Sequence, residues 1–96
     1  MTKESQSAFD IVCGRRLALV REALGLSQET LGAALGISRQ GVSNYENGIR
    51  KLNPEFVIRL YGRYRITTDY IYRGDTYGLP NDLANILAPE LAKLAG

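Results

Sequence analysis

The chain has 96 residues, with 12 Lys and Arg against 10 Asp and Glu, a formal net charge of +2, no His and one Cys. That length fits one domain, with a core that is modest but sufficient for a helical fold without staples. A lone Cys13 closes no disulfide within the chain, and the lack of His removes the usual zinc and haem ligands, so no metal or cofactor is expected. The polar start MTKESQSAFD shows no secretory signal and no apolar stretch approaches membrane-spanning length, so the expected location is cytoplasmic, away from any membrane.

In chain order, residues 1–8 read as a flexible, polar N-terminus. Ser7 and Asp10 have the spacing of a variant capping box, opening a first helix that runs to about Leu24. Leu17, Val20 and Leu24 form its buried stripe, with Cys13 beside them as a small core residue rather than a reactive thiol. Gly25 stops it. Ser27 then caps a second helix, with Glu29 in the favourable first turn. Leu31, Ala34 and Leu35 have the i, i+3, i+4 spacing of one buried face. Gly36 ends that helix and turns the chain, and Ile37 plugs the corner. Ser38 caps a third helix. Val42 and Tyr45 face its core, while Arg39, Gln40, Ser43, Asn44 and Asn47 form a polar outer face kept low on one side by Gly41. A small helical domain does not need those polar residues in order to fold.

Gly48 stops the third helix, and Ile49 to Leu52 form a loop with adjacent cations at Arg50 and Lys51. Asn53-Pro54-Glu55 starts a fourth helix with a cap, a proline in the first turn and an acid. Its expected buried face is Phe56, Val57, Leu60, Tyr61 and Tyr64, with Arg59 and Arg63 on the other side. Ile66 closes the core, and Thr67 caps a short fifth helix with Tyr70 and Ile71 inward, stopped by Gly74. Residues 75–80 read as a linker. The remaining tail has Leu83, Ile86, Leu87, Leu91 and Leu94 on one helical face, with Pro89 breaking it or starting a second piece. That face either folds back over its own domain or meets a second subunit. The organisation expected is a domain over residues 9–74, followed by a linker and amphipathic tail over residues 75–96.

No convergent set of nucleophile, acid, base or metal ligands is visible, and no phosphate-cradling glycine loop, so an enzyme is not expected. Nor does any motif point to a small-molecule ligand. Between Asp10 and Arg73 ten basic residues stand against six acidic ones. This mild excess permits nucleic-acid binding without demonstrating it.

The stretch SQETLGAALGISRQGVSNYEN, from Ser27 to Asn47, resembles the helix-turn-helix of the lambda repressor and Cro family. Gln28 opens the motif, Gly32 stands at the small position four residues on, Gly36 is the turn glycine and Val42 the aliphatic plug. The likeness extends upstream through Gly14, Leu17, Arg21 and Gly25-Leu26-Ser27-Gln28. Downstream it takes in Tyr45-Glu46-Asn47-Gly48 and Thr67-Thr68-Asp69-Tyr70-Ile71. It departs at Gly32, where the family usually has Ala, and at Leu52, where Pro is common.

The resemblance implies an all-α, five-helix lambda-repressor-like DNA-binding domain with a C-terminal helical tail. It implies binding of double-stranded DNA by a transcriptional regulator, a repressor by expectation. Such a protein would act as a homodimer on a two-fold symmetric operator with half-sites ~34–36 Å apart. Arg39, Gln40, Ser43 and Asn44, at the start of the recognition helix, are the expected base contacts: Arg suits guanine and Gln or Asn suits adenine. Gln28, at a helix N-terminus, and Asn47, Arg50 and Lys51, after the recognition helix, are the expected phosphate contacts. Arg21 is expected to pair with Glu46 and fix the angle of the reading helix. The alternative is a protein-interaction module of the same fold, antitoxin-like or a scaffold, using the tail or Tyr64, Tyr72 and Tyr77.

Overall fold

Ser7 opens the first helix, its hydroxyl accepting the Asp10 amide at 3.0 Å. The computed structural model describes residues 7–95 and, among them, contains six helices and no strand. These are α1 (Ala8–Ala23), α2 (Gln28–Leu35), α3 (Arg39–Glu46), α4 (Pro54–Tyr64), α5 (Thr68–Arg73) and α6 (Asn81–Ala95). Of the flexible N-terminus expected over residues 1–8, residues 1–6 lie outside the described residues, while Ser7 and Ala8 cap and begin α1. No described helix is long and apolar enough to cross a membrane.

Helices α2 to α5 also start on the capping residues read from the sequence. Ser27 accepts the Thr30 amide, Ser38 that of Gly41, Asn53 that of Glu55 and Thr67 that of Tyr70, at 2.7–3.0 Å. Each cap satisfies an amide that the helix itself leaves without an acceptor. Between α2 and α3 the chain reverses at Gly36, whose φ of 81° is the left-handed conformation that a Cβ disfavours.

The core runs through all six helices. Leu17, Val20, Val42, Leu60, Ile66, Tyr70, Ile71 and Leu87 are fully buried, with Cys13, Leu31, Leu35, Phe56 and Val57 nearly so. Burial raises the Cys13 thiol pKa above its ordinary value, as suits a packing residue. The Tyr45 and Phe56 rings meet at 4.8 Å and tie α3 to α4.

Three expectations need correction. Ala34 is exposed and Gly32 is buried instead, because α2 turns its Leu31–Gly32–Leu35 edge to its neighbours and Ala34 falls on the solvent side. Tyr61 is 46% exposed. It sits one residue round from Leu60, at the rim of the α4 stripe, where the Arg65 guanidinium covers its ring at 5.2 Å. Residues 75–80 lie between α5 and α6, and Leu79 among them is buried against the core.

Pro89, finally, does not break the tail: α6 is one helix. Both Pro89 and Asn85, the residue whose carbonyl loses its donor, are exposed, so water can satisfy that oxygen. The tail folds back on α1, burying Leu83 and Leu87 and half-burying Leu91, while Ile86 and Leu94 remain exposed. Complete burial of a side chain such as Leu87 is worth about 1.5–3 kcal/mol.

Candidate nucleic-acid interface

The amphipathicity of α3 sets out the site. Val42 at 0% and Tyr45 at 7% exposure fix one face in the core. Arg39 and Gln40 project from the first turn into solvent, and half-exposed Ser43 and Asn44 follow one turn later. The four expected base contacts therefore lie together on an accessible row. Eight residues at about 1.5 Å rise span roughly 12 Å, comparable with the width of the DNA major groove.

The row is internally ordered. Gln40 Nε2 donates to Asn44 Oδ1 at 3.0 Å, and Asn47 Nδ2 donates to Ser43 Oγ at 3.2 Å. Among the described residues Gln40 Oε1 and Asn44 Nδ2 have no further partner, so the pairing orients the groups without consuming them. Arg39 has no side-chain partner among the described residues, and its donors are available.

Behind this row, Glu46 is buried at 8% exposure and bonded on both oxygens. Arg21 Nε donates to Oε2 at 2.6 Å and Nη2 to Oε1 at 3.1 Å, while Arg21 Nη1 holds the Leu26 carbonyl at 2.9 Å. The expected pair is present and bidentate. The Glu46 hydrogen bond pushes the Arg21 pKa above its already high ordinary value, so the guanidinium stays charged. Gln28 is drawn into the same network, with Nε2 donating to Glu46 Oε1 at 3.0 Å. One carboxylate thus joins α1, α2 and α3 and sets the angle of the outer row.

Two backbone approaches reinforce that angle. A Cβ at Gly14 would stand 2.6 Å from the Glu46 carbonyl oxygen, so only glycine lets α1 and α3 cross this closely. A Cβ at Gly32 would stand 2.6 Å from the Ile37 oxygen. Here the departure from the family's usual Ala has a steric reason, because the corner between α2 and α3 leaves no room for a methyl group.

The expected phosphate contacts are placed unevenly. Asn47 and Arg50 are exposed near the end of α3. The side-chain amide of Gln28 turns inward to Glu46, but the Gln28 and Glu29 backbone amides lie in the first turn of α2, where no intrahelical acceptor exists. Lys51 reaches α1, with Nζ 2.9 Å from Asp10 Oδ1 and 5.8 Å from the centre of the Phe9 ring. Asp10 holds the Lys51 pKa above its ordinary value.

Three residues outside the expected set support the scaffold. Arg59, expected on the solvent side of α4, donates to the Leu35 carbonyl at 2.9 Å and caps α2 beside the turn. The available signal was that α2 has no basic residue in its last turn. Arg16 Nη1 likewise donates to Ile71 O at the end of α5, and the buried Tyr70 hydroxyl donates to Arg16 O at 2.6 Å. Nothing in the sequence pattern pairs those positions.

Five packed helices with this turn, this buried carboxylate network and this outward polar row define a lambda repressor/Cro-like helix-turn-helix domain. The chain belongs to the helix-turn-helix family, whose model matches residues 17–71. It is 42% identical over 50 residues to an uncharacterized HTH-type transcriptional regulator of Sinorhizobium medicae (strain WSM419), covering 52% of this chain and 36% of that protein. Over 69 residues it is 29% identical to the HTH-type transcriptional regulator ImmR of Bacillus subtilis (strain 168), covering 72% of this chain and 54% of that one. The chain thus spans between about a third and a half of the length of these two curated relatives. Among solved structures it is similar to the P22 c2 repressor in complex with a synthetic operator, with a TM-score of 0.62 and 28% identity. That match covers 67% of this chain and 97% of the other.

Proposed function

We propose that the chain is a sequence-specific double-stranded DNA-binding regulator of transcription, acting as a repressor, with α3 in the major groove. The observation that carries this reading is the exposed row Arg39, Gln40, Ser43 and Asn44 on a helix whose other face is locked into the core. Arg39 would grip guanine, and Gln40 and Asn44 would read adenine. Asn47, Arg50 and the first amides of α2 would hold phosphates and set register. Lys51 would join them by exchanging Asp10 for a phosphate. The P22 c2 repressor, which is similar in fold, is seen in complex with a synthetic operator. The role is binding rather than catalysis.

A single module of this kind buries only about 600–1,000 Å² on DNA, so a homodimer on a two-fold symmetric operator is part of the proposal. The test is selection of bound duplexes from a random pool at near-physiological salt. Enrichment of an inverted repeat supports a dimeric sequence reader. Binding without enrichment, lost steeply as salt rises, reduces the function to phosphate contact. Absence of binding by folded protein rejects the reading in favour of an interaction module. The exposed Ile58 and Tyr61 on α4, at 66% and 46%, favour that second reading and would form its contact face.

A further inference from the structure

On the side of α1 turned away from α3, a cleft of about 710 Å³ opens between α1, the end of α5 and α6. Gly14 marks the edge of α1 that α3 crosses. At about 3.6 residues per turn, Val12, Arg15 and Arg16 lie roughly 100° to 200° round the helix from it. The lining combines two chemistries. Arg15 and Arg16 of α1 and Arg73 of α5 supply three guanidinium groups, whereas Val12 of α1 with Leu91 and Ala92 of α6 supply an apolar wall. Among the described residues, none that lines the cleft is acidic.

The scaffold accounts for only one of these cations. Arg16 donates to the Ile71 carbonyl and lies across Gly74, so its guanidinium is fixed at the end of α5. Arg15 and Arg73 are exposed and have no side-chain hydrogen bond or ion pair among the described residues. Three like charges beside a hydrocarbon wall repel one another, and a bound anion would relieve that repulsion. Guanidinium groups match the geometry of a carboxylate bidentately. A small, strongly hydrated anion would leave the apolar wall wet, and a neutral hydrocarbon would leave the charges unmatched. The volume falls within the range of clefts that hold small molecules.

We propose that this cleft binds an aliphatic carboxylate of medium chain length, with its carboxylate on Arg15, Arg73 and the fixed Arg16 and its chain along Val12, Leu91 and Ala92. The site is separate from the α3 row, so it stands or falls independently of the DNA reading.

The test is a titration of isotope-labelled full chain, without DNA, followed by amide chemical shifts. The probes are decanoate below its micellar concentration, decanol as the neutral analogue and inorganic phosphate as the anion without a chain. Saturable decanoate shifts confined to the first half of α1, the end of α5 and α6 are expected. Decanol should bind at least tenfold more weakly and phosphate should not saturate. Arg15→Gln with Arg73→Gln changes only exposed side chains and should weaken decanoate at least tenfold. Ala92→Trp fills the apolar wall from an exposed position and should abolish binding while the spectrum stays folded. Equal affinity for decanol and decanoate overturns the proposal, as do shifts that spread over the surface without saturating. It is also overturned if the double arginine variant binds decanoate like the parent. Arginine variants that weaken DNA binding in a protein whose parent takes up no decanoate would assign these cations to the DNA backbone and reject the site.

Discussion

Replacing Glu46 with Ala tests whether the buried carboxylate holds the reading helix in place. Glu46 and Arg21 have side-chain exposures of 6% and 13%, and three nitrogen donors converge on the two carboxylate oxygens. Glu46→Ala leaves the largely desolvated Arg21 guanidinium with only the Leu26 carbonyl and the exposed Glu22 carboxylate, 3.8 Å away, and strips Gln28 of its partner. Loss of one member of a buried pair costs about 3–5 kcal/mol. For a domain of this size each kcal/mol lowers Tm by roughly 4–8 °C, so even the lower figure means a fall of about 12–24 °C. Thermal unfolding followed by circular dichroism measures it. The double variant Arg21→Met with Glu46→Leu removes both charges together and should recover most of the loss. Its DNA affinity should nevertheless remain below the parent's, because the bidentate link that orients α3 is gone. A loss under about 1 kcal/mol for Glu46→Ala is what an exposed pair gives, and would refute the claim that this network anchors the site.

Other outcomes can be checked separately. Arg39→Ala and Gln40→Ala alter exposed groups and should change which duplexes are selected, at ~1–3 kcal/mol per lost bidentate contact, while Tm stays nearly constant; retention of the parent's preference in both would show that the row does not read bases. Gly62 lies inside α4 with nothing within 4 Å of the point where a Cβ would stand, so Gly62→Ala should stabilise the fold by about 0.5–1 kcal/mol in denaturant unfolding. A Cβ at Gly41 meets Ile37 and Ser38 only at 3.4 Å or more, so Gly41→Ala should stabilise by a similar amount yet weaken DNA binding, if the bare backbone there approaches the groove.

Burial raises the Tyr70 pKa above its ordinary 10.0, so the folded state keeps a proton that the unfolded chain releases. This contribution to stability is complete below about pH 10 and falls as pH rises further. Cys13, Lys51 and Tyr72 are shifted in the same direction and add to the decline. Tyr70→Phe should flatten the alkaline loss, at a cost of about 1 kcal/mol at neutral pH for the hydrogen bond to Arg16 O. An unchanged slope would exclude Tyr70 as a source of it.

Much of the fold was legible because its signals lie between neighbouring residues. Ser7, Ser27, Ser38, Asn53 and Thr67 each cap the helix that follows them, since the accepting oxygen and the amide are two or three residues apart. The glycine stop at Gly36 and the buried pair Val42 and Tyr45 were equally local, and together they fixed which face of α3 would be polar. The Arg21–Glu46 pair spans 25 residues and came from the family resemblance rather than from spacing. The tail's apolar stripe was visible in the sequence, but whether it would cover its own domain was not.

Those features that depend on how closely helices approach were decided by the tertiary structure. Gly32 reads as a weak point in α2 by helix propensity alone, yet the Ile37 carbonyl stands where a methyl group would sit. Arg59, Lys51 and Gln28 have side chains long enough to reach several neighbours. The Leu35 carbonyl, the Asp10 carboxylate and the Glu46 carboxylate are the acceptors that packing brings within hydrogen-bond distance. Likewise, Arg15 and Arg73 line one cleft only because α6 folds back over α1 and closes its apolar wall. Caps, stops and face periodicity are properties of consecutive residues and survive in the sequence. The partners of long polar side chains, and the room left at a crossing, are set by distances of a few ångströms between segments far apart in the chain.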